Sequence, residues 1–166
     1  MKKLLSLVFV LTAFTACAPA PAPAPVVDIA AEEAKLKADA LSWFEFYNKG
    51  DADGVANLYA ENALLMPPNA ATATGRAAIR AFIASDIATT KASGLTLRAA
   101  SVTGVGVNGD SGWVSGTFVV LDATGKTVDT GKYLSVHQKS NGSWPYTRDI
   151  WNSDTPAPAP PPAKVK

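Results

Sequence analysis

The stretch Val105–Trp144, VGVNGDSGWVSGTFVVLDATGKTVDTGKYLSVHQKSNGSW, carries three turn signals: Asn108-Gly-Asp110, Asp122-Ala-Thr-Gly125 and Ser140-Asn-Gly-Ser143. Between them apolar and polar residues alternate with a period of two, so the turns separate four β-rich runs that begin near Leu95. Runs joined by connections this short lie antiparallel, and the second half of the chain reads as a meander.

The residues before it change period. Leu36, Ala40, Trp43, Phe44 and Tyr47 recur at three- and four-residue spacing with Lys35, Ser42, Glu45 and Asn48 opposite, which predicts an amphipathic helix over 29–48. Gly50 ends it. Asp51 is placed to cap a short second helix carrying Val55, Leu58 and Tyr59 on one face, and ALLMPPN (Ala63–Asn69) follows as a brief strand that Pro67 and Pro68 bring to a stop. Thr74 is placed to cap a third helix from about Gly75 into the high eighties, with Ile79, Phe82, Ile83 and Ile87 as its buried stripe. Helices first and a curled sheet after them predict an α+β layer, three N-terminal helices packed on a curved antiparallel sheet.

The ends have their own character. The chain has 166 residues, and residues 1–16, MKKLLSLVFVLTAFTA, set two lysines before an apolar run and small residues, the layout of an export signal. Leu4 to Ala16 makes only about 20 Å of helix at ~1.5 Å per residue, too short to span a bilayer. Cys17 is the only cysteine, so no intrachain disulfide is available to it. Phe14-Thr-Ala-Cys17 resembles the lipobox of bacterial lipoproteins, with Phe14 departing from the usual aliphatic residue. That resemblance implies lipidation at Cys17 and attachment to the periplasmic face of the cell envelope, at the outer membrane, by acyl chains alone. The alternative is ordinary secretory cleavage at Ala18, Ala20 or Ala22, each of which is followed by proline.

Residues 17–27 then form an Ala-Pro spacer, stiff and extended because proline's ring fixes φ. Residues 155–166, TPAPAPPPAKVK, read as a disordered tail. The globular unit is 28–154. With 15 basic against 14 acidic residues, and Lys2 and Lys3 lost with the signal, the mature chain is near neutral. No basic run or aromatic-basic interleaving supports nucleic-acid binding.

Within 28–154 several marks stand in order: Tyr47-Asn-Lys-Gly-Asp51; Leu58-Tyr-Ala-Glu-Asn-Ala63 running into Pro67; Gly75-Arg-Ala-Ala-Ile-Arg-Ala-Phe82; Gly131-Lys-Tyr-Leu; and Gly142-Ser-Trp-Pro-Tyr-Thr-Arg-Asp-Ile-Trp-Asn-Ser-Asp154. Together they resemble the nuclear-transport-factor-2-like superfamily, whose members include SnoaL-like polyketide cyclases and ketosteroid isomerases. The closing segment is most similar to SnoaL-like members of uncharacterised function. The resemblance implies a cone-shaped, cystatin-like fold with an apolar pocket between the long helix and the sheet, and a homodimer formed through the outer sheet face.

It also implies where chemistry would stand. The aspartate base of a ketosteroid isomerase corresponds to Pro67, and the two proton donors of its oxyanion hole, a tyrosine and a protonated carboxylic acid of the kind described for that enzyme, correspond to Trp43 and Ser135 respectively. A proline has no proton to exchange, and an indole and an ordinary hydroxyl are weak substitutes for those donors.

Trp43, Tyr47, Tyr59, Met66, Tyr133 and Trp151 are candidate pocket walls, with core packing as the alternative. His137 is the only histidine, so no transition-metal site is supported. Alternation along Tyr133-Leu-Ser-Val-His137 places Tyr133, Ser135 and His137 on one face, from which Asp149 on the next strand could orient His137 as an acid–base pair. Arg148 should then face the opposite way. Gly104-Val-Gly106 lacks the third glycine of a dinucleotide loop, no Gly-x-Ser-x-Gly elbow occurs, and no cofactor is expected. The expected function is binding of a small apolar or amphipathic molecule without catalysis. An isomerase, lyase or cyclase using His137 with Asp149 is one alternative, and a structural envelope protein is another.

Overall fold

Helix α1 (Ile29–Lys49) opens with Asp28, whose carboxylate accepts the N–H of Ala31 at 3.1 Å, and closes on Gly50 at φ 83°. A left-handed residue is needed there so that its N–H can return to the last turn's carbonyls, and glycine adopts it without strain. Asp51 caps helix α2 (Ala52–Asn57) by accepting the N–H of Gly54. The computed structural model describes residues 27–156. The expected export signal, Cys17, the Ala-Pro spacer up to residue 26 and the tail from residue 157 lie outside the described residues.

Strand β1 (Tyr59–Met66) follows α2 directly. Tyr59 therefore belongs to the strand, where the helical spacing of Val55, Leu58 and Tyr59 had placed it on α2. The three-residue period was satisfied by a helix that ends one residue before Leu58 and by a strand whose first side chain points the same way. Strand β2 (Ala73–Thr74) pairs antiparallel with β1, and helix α3 (Arg76–Ala92) starts from Gly75 without a side-chain cap. Thr74 does not cap it; its backbone is held in the β2 ladder. Ile79, Ile83 and Ile87 are the buried stripe of α3, with Phe82 half-buried beside them.

The meander is present as β3 (Thr96–Asn108), β4 (Ser111–Leu121), β5 (Thr127–Gln138) and β6 (Tyr146–Ser153), each antiparallel to the next. The six-stranded sheet has the order β2-β1-β6-β5-β4-β3, with β1 parallel to β6. This one parallel pairing sets the first strand of the chain beside its last.

Two cores result. One packs α2 and α3 against β1 through Val55, Ile79, Ile83, Leu65 and Tyr59. The other packs Leu36 and Ala40 of α1 onto Val114 and Trp144. Its lower edge is polar and closed: the indole N–H of Trp144 donates to Glu32 at 2.6 Å, and Lys35 and Lys139 reach the same carboxylate at 3.0 and 3.1 Å. These bonds hold Glu32 down at about 2, the Trp144 N–H contributing most.

The inner sheet face is paved with rings laid across glycines. Phe118 lies over Gly131 and Tyr133 over Gly116, each where a Cβ would overlap the ring. On the outer face Trp113 lies over Gly104 and Gly106 in the same way. The glycines that fail as a dinucleotide loop are a seat for an indole, and glycine's missing side chain is what lets a flat ring approach the strand.

Candidate functional site

Between the middle of α1 and the paved sheet face lies a cavity of about 60 Å³, measured as room for the centre of a water-sized sphere, within about 510 Å³ of empty space that reaches solvent. The smaller figure admits several waters or one compact chemical group, since a single water needs ~10–15 Å³ by that measure. Trp43, Tyr133, Asp149 and Trp151 line it, as the sequence suggested. Phe44, Asp86, Leu97, Phe118 and Tyr146 also line it and were not singled out.

The rest of the expected pocket falls elsewhere. Tyr47 and Tyr59 are buried behind the wall. Tyr47 stacks under Trp43 with centroids 5.1 Å apart, and its hydroxyl donates to Asp86 at 2.6 Å. Met66, at the end of β1, is not among the lining residues. Ser135 and His137 share the inner face with Tyr133, as alternation predicted, but both are fully buried and neither lines the cavity.

The acid–base pair of His137 with Asp149 does not form. His137 Nδ1 lies 2.9 Å from the carbonyl of Trp144, and because a carbonyl only accepts, this nitrogen carries the proton. Nε2 then accepts from Ser135 Oγ at 2.9 Å. Burial lowers the pKa of His137 and keeps it neutral. Both nitrogens are spent on the chain itself. The strand register sets Asp149 opposite Ser135 and leaves His137 opposite Tyr146, so the histidine stands one rung too far along to be oriented by Asp149. Arg148 is exposed on the other face, as expected.

Asp149 has a different partner. Its carboxylate accepts the hydroxyl of Tyr59 at 2.5 Å, and that oxygen in turn accepts the indole N–H of Trp43 at 2.9 Å. Three elements, α1, β1 and β6, are tied by this relay. Burial dominates the electrostatics and pushes Asp149 up to about 6, with the Tyr59 hydroxyl opposing it. Tyr59 and Tyr146 are pushed up by burial and by the neighbouring carboxylate. Tyr133 adds a buried hydroxyl with no hydrogen-bond partner among the described residues, an unusual state for a buried polar atom.

A carboxyl raised from 3.8 to about 6 destabilises the fold once ionised. Below both values it is protonated in the folded and unfolded chain and has no effect. As pH rises through this window the unfolded chain ionises first, and stability falls by about 2–3 kcal/mol. Asp149→Asn should therefore melt like the parent near pH 3.5 and gain roughly 4–10 °C at pH 8. A variant with a lower melting temperature at both pH values would show instead that the bond from Tyr59 outweighs the buried charge.

A family model described as SnoaL-like domain matches residues 40–145. No curated protein matches the chain. Among solved structures, a nuclear-transport-factor-2-like protein with a cystatin-like fold from Novosphingobium aromaticivorans superposes with a TM-score of 0.65 at 22% identity, covering 72% of this chain and 80% of that one. One of unknown function from Pseudomonas putida gives 0.66 at 16%, covering 74% and 86%. A ketosteroid isomerase-like protein from Erwinia carotovora gives 0.57 at 21%, covering 75% and 98%. At these identities the likeness is one of fold.

Proposed function

The chain belongs to the SnoaL-like domain family, and from that premise we propose that it binds a small, largely apolar molecule with one polar end between α1 and the sheet. The observation that carries this reading is the cavity itself: ring faces from α1, β4, β5 and β6 converge on it, while Asp149 stands at its wall and Tyr133 keeps an unpartnered hydroxyl. Apolar walls with few convergent polar groups are the usual make-up of a small-molecule site.

Trp43 and Trp151 report on the cavity by fluorescence. Titration with flat amphipathic ligands should shift this emission saturably, and Trp151→Ala should weaken the best ligand about tenfold, since the ring contributes much of the apolar contact. Unchanged emission across the panel, with cavity residues equally accessible to solvent throughout, would leave the domain a structural one.

A second reading is supported by the raised carboxyl alone. At about 6, Asp149 is placed to exchange a proton near neutral pH. It would act without His137, whose nitrogens are committed elsewhere. Turnover of a bound ketone or alcohol that is lost in Asp149→Asn and kept in His137→Gln would establish it.

The envelope address and the homodimer belong to the same proposal. Acyl chains on Cys17 would tether the domain, and the exposed Trp113, Leu134, Val136 and Ile150 on the outer face support self-association. Cys17→Ser should release the protein from the membrane fraction, and light scattering on the released form should give twice the chain mass. Unaltered partition, or a monomer at high micromolar concentration, would remove the corresponding half.

A further inference from the structure

We propose that the cavity recognises an organic cation, a methylated ammonium or protonated amine head carried on an apolar body. This rests on the reading of the cavity as a ligand site. Its argument is the sign of the groups that face inward. Two carboxylates, Asp86 on α3 and Asp149 on β6, line the cavity, and among the described residues no lysine, arginine or histidine does. The remaining lining is ring-rich: Trp43, Phe44, Phe118, Tyr133, Tyr146 and Trp151. Aromatic faces carry negative charge density, and a cage of them beside a carboxylate attracts a weakly hydrated cation.

The inventory of donors points the same way. An anionic or carbonyl ligand needs N–H or O–H groups aimed at it, yet the indole of Trp43 donates to Tyr59, Tyr59 donates to Asp149, and Tyr47 donates to Asp86. Each is consumed in holding the wall. The hydroxyls of Tyr133 and Tyr146 and the indole N–H of Trp151 have no partner among the described residues, and both hydroxyl oxygens are equally able to accept from an ammonium N–H. A neutral ketone would leave two carboxylates without a counter-charge, whereas a cation satisfies them and favours the ionised form of Asp149, which burial otherwise opposes.

The test compares choline with 3,3-dimethylbutan-1-ol, which has the same shape and no charge, on the full chain by tryptophan fluorescence. At pH 8 choline should bind at least ~10-fold more tightly, the difference a desolvated cation–π contact with a nearby carboxylate supports. Asp149→Asn, checked for an intact melting transition, should reduce this preference to about threefold or less. Choline affinity should also fall as pH drops below about 6, where Asp149 takes a proton. The groups that face that carboxyl are Tyr59 on β1, Tyr133 on β5, Tyr146 on β6, Asp86 on α3 and, through Tyr146, the half-buried Asp39 on α1. The tyrosines remain neutral throughout this range. Equal binding of the two probes, or tighter binding of the alcohol, overturns the cation proposal and leaves the ligand site standing. If neither probe binds but an uncharged amphipath does, the result is the same. Silence from every ligand overturns both.

Discussion

Trp144→Ala should destabilise the domain by about 3–5 kcal/mol, the range expected for emptying a core site of a large aromatic ring. Trp144 is 1% exposed and packs with Leu36, Ala40 and Val114 where α1 crosses the sheet. Its loss leaves a void and removes the strongest donor to Glu32, a carboxylate already tied to Lys35 and Lys139. It also disturbs the hairpin whose carbonyl fixes the tautomer of His137. Trp144→Phe keeps most of the packing and loses only the indole N–H, so it should cost distinctly less. Urea unfolding at pH 7 measures both. A cost below about 1 kcal/mol for the alanine variant would mean that α1 is held by its contacts with the core of α2, α3 and β1 alone. The Glu32 contribution has its own pH signature: a carboxylate held at about 2 stabilises above its unfolded value near 4.5, and that support disappears as pH falls from there through 2.

The second large effect is expected at a residue with no side chain. A methyl group on Gly131 would overlap both the Phe118 ring and the carbonyl oxygen of Asn152 on β6. The ring has nowhere flat to go and the backbone cannot yield without parting β5 from β6, so Gly131→Ala should cost about 1–3 kcal/mol, the range for overpacking a fitted interior. Phe118 also lines the cavity, so the variant should lose ligand-induced fluorescence change even where it still folds. Gly142→Ala is the comparison. Its φ of 80° resists a side chain, yet nothing lies within 4 Å, so it should cost about 1 kcal/mol and leave the cavity untouched. If the two variants melt together and bind alike, the glycine-seated ring is not what shapes the site.

Local rules explain how much of this was legible beforehand. The α+β order, the ends of α1 and the meander follow from the three- and two-residue periods and from Gly50, Asp51 and the Asn-Gly turns, all of which act over a few residues. What escaped was non-local. Tyr59 has the right spacing for α2 and belongs to β1, because partnership with β6, far along the chain, decides it. Thr74 has the chemistry of a helix cap, but pairing with Leu64 claims its backbone. The inner face of β5 was readable by alternation, and so was the choice of Asp149 and Trp151. That Asp149 would meet Tyr59 instead of His137 was not readable, since it depends on the parallel pairing of β1 with β6. Phe118 as a cavity wall carried a faint signal in its alternation with Gly116, whereas Tyr146, three residues from Asp149, reaches the same face only through the register shift in the pairing of β5 with β6.

The pairing of β1 with β6 has a consequence in time. Tyr59 and Asp149, whose hydrogen bond closes the cavity wall, are separated by 90 positions, and β1 has no strand to lie against on that side until β6 exists. Contacts so distant in sequence form late, after the entropy of closing the intervening loop has been overcome. A ribosome releases the chain from its N-terminus, so this edge of β1 must wait unpaired while the meander assembles, and the cavity comes into being only with the last strand.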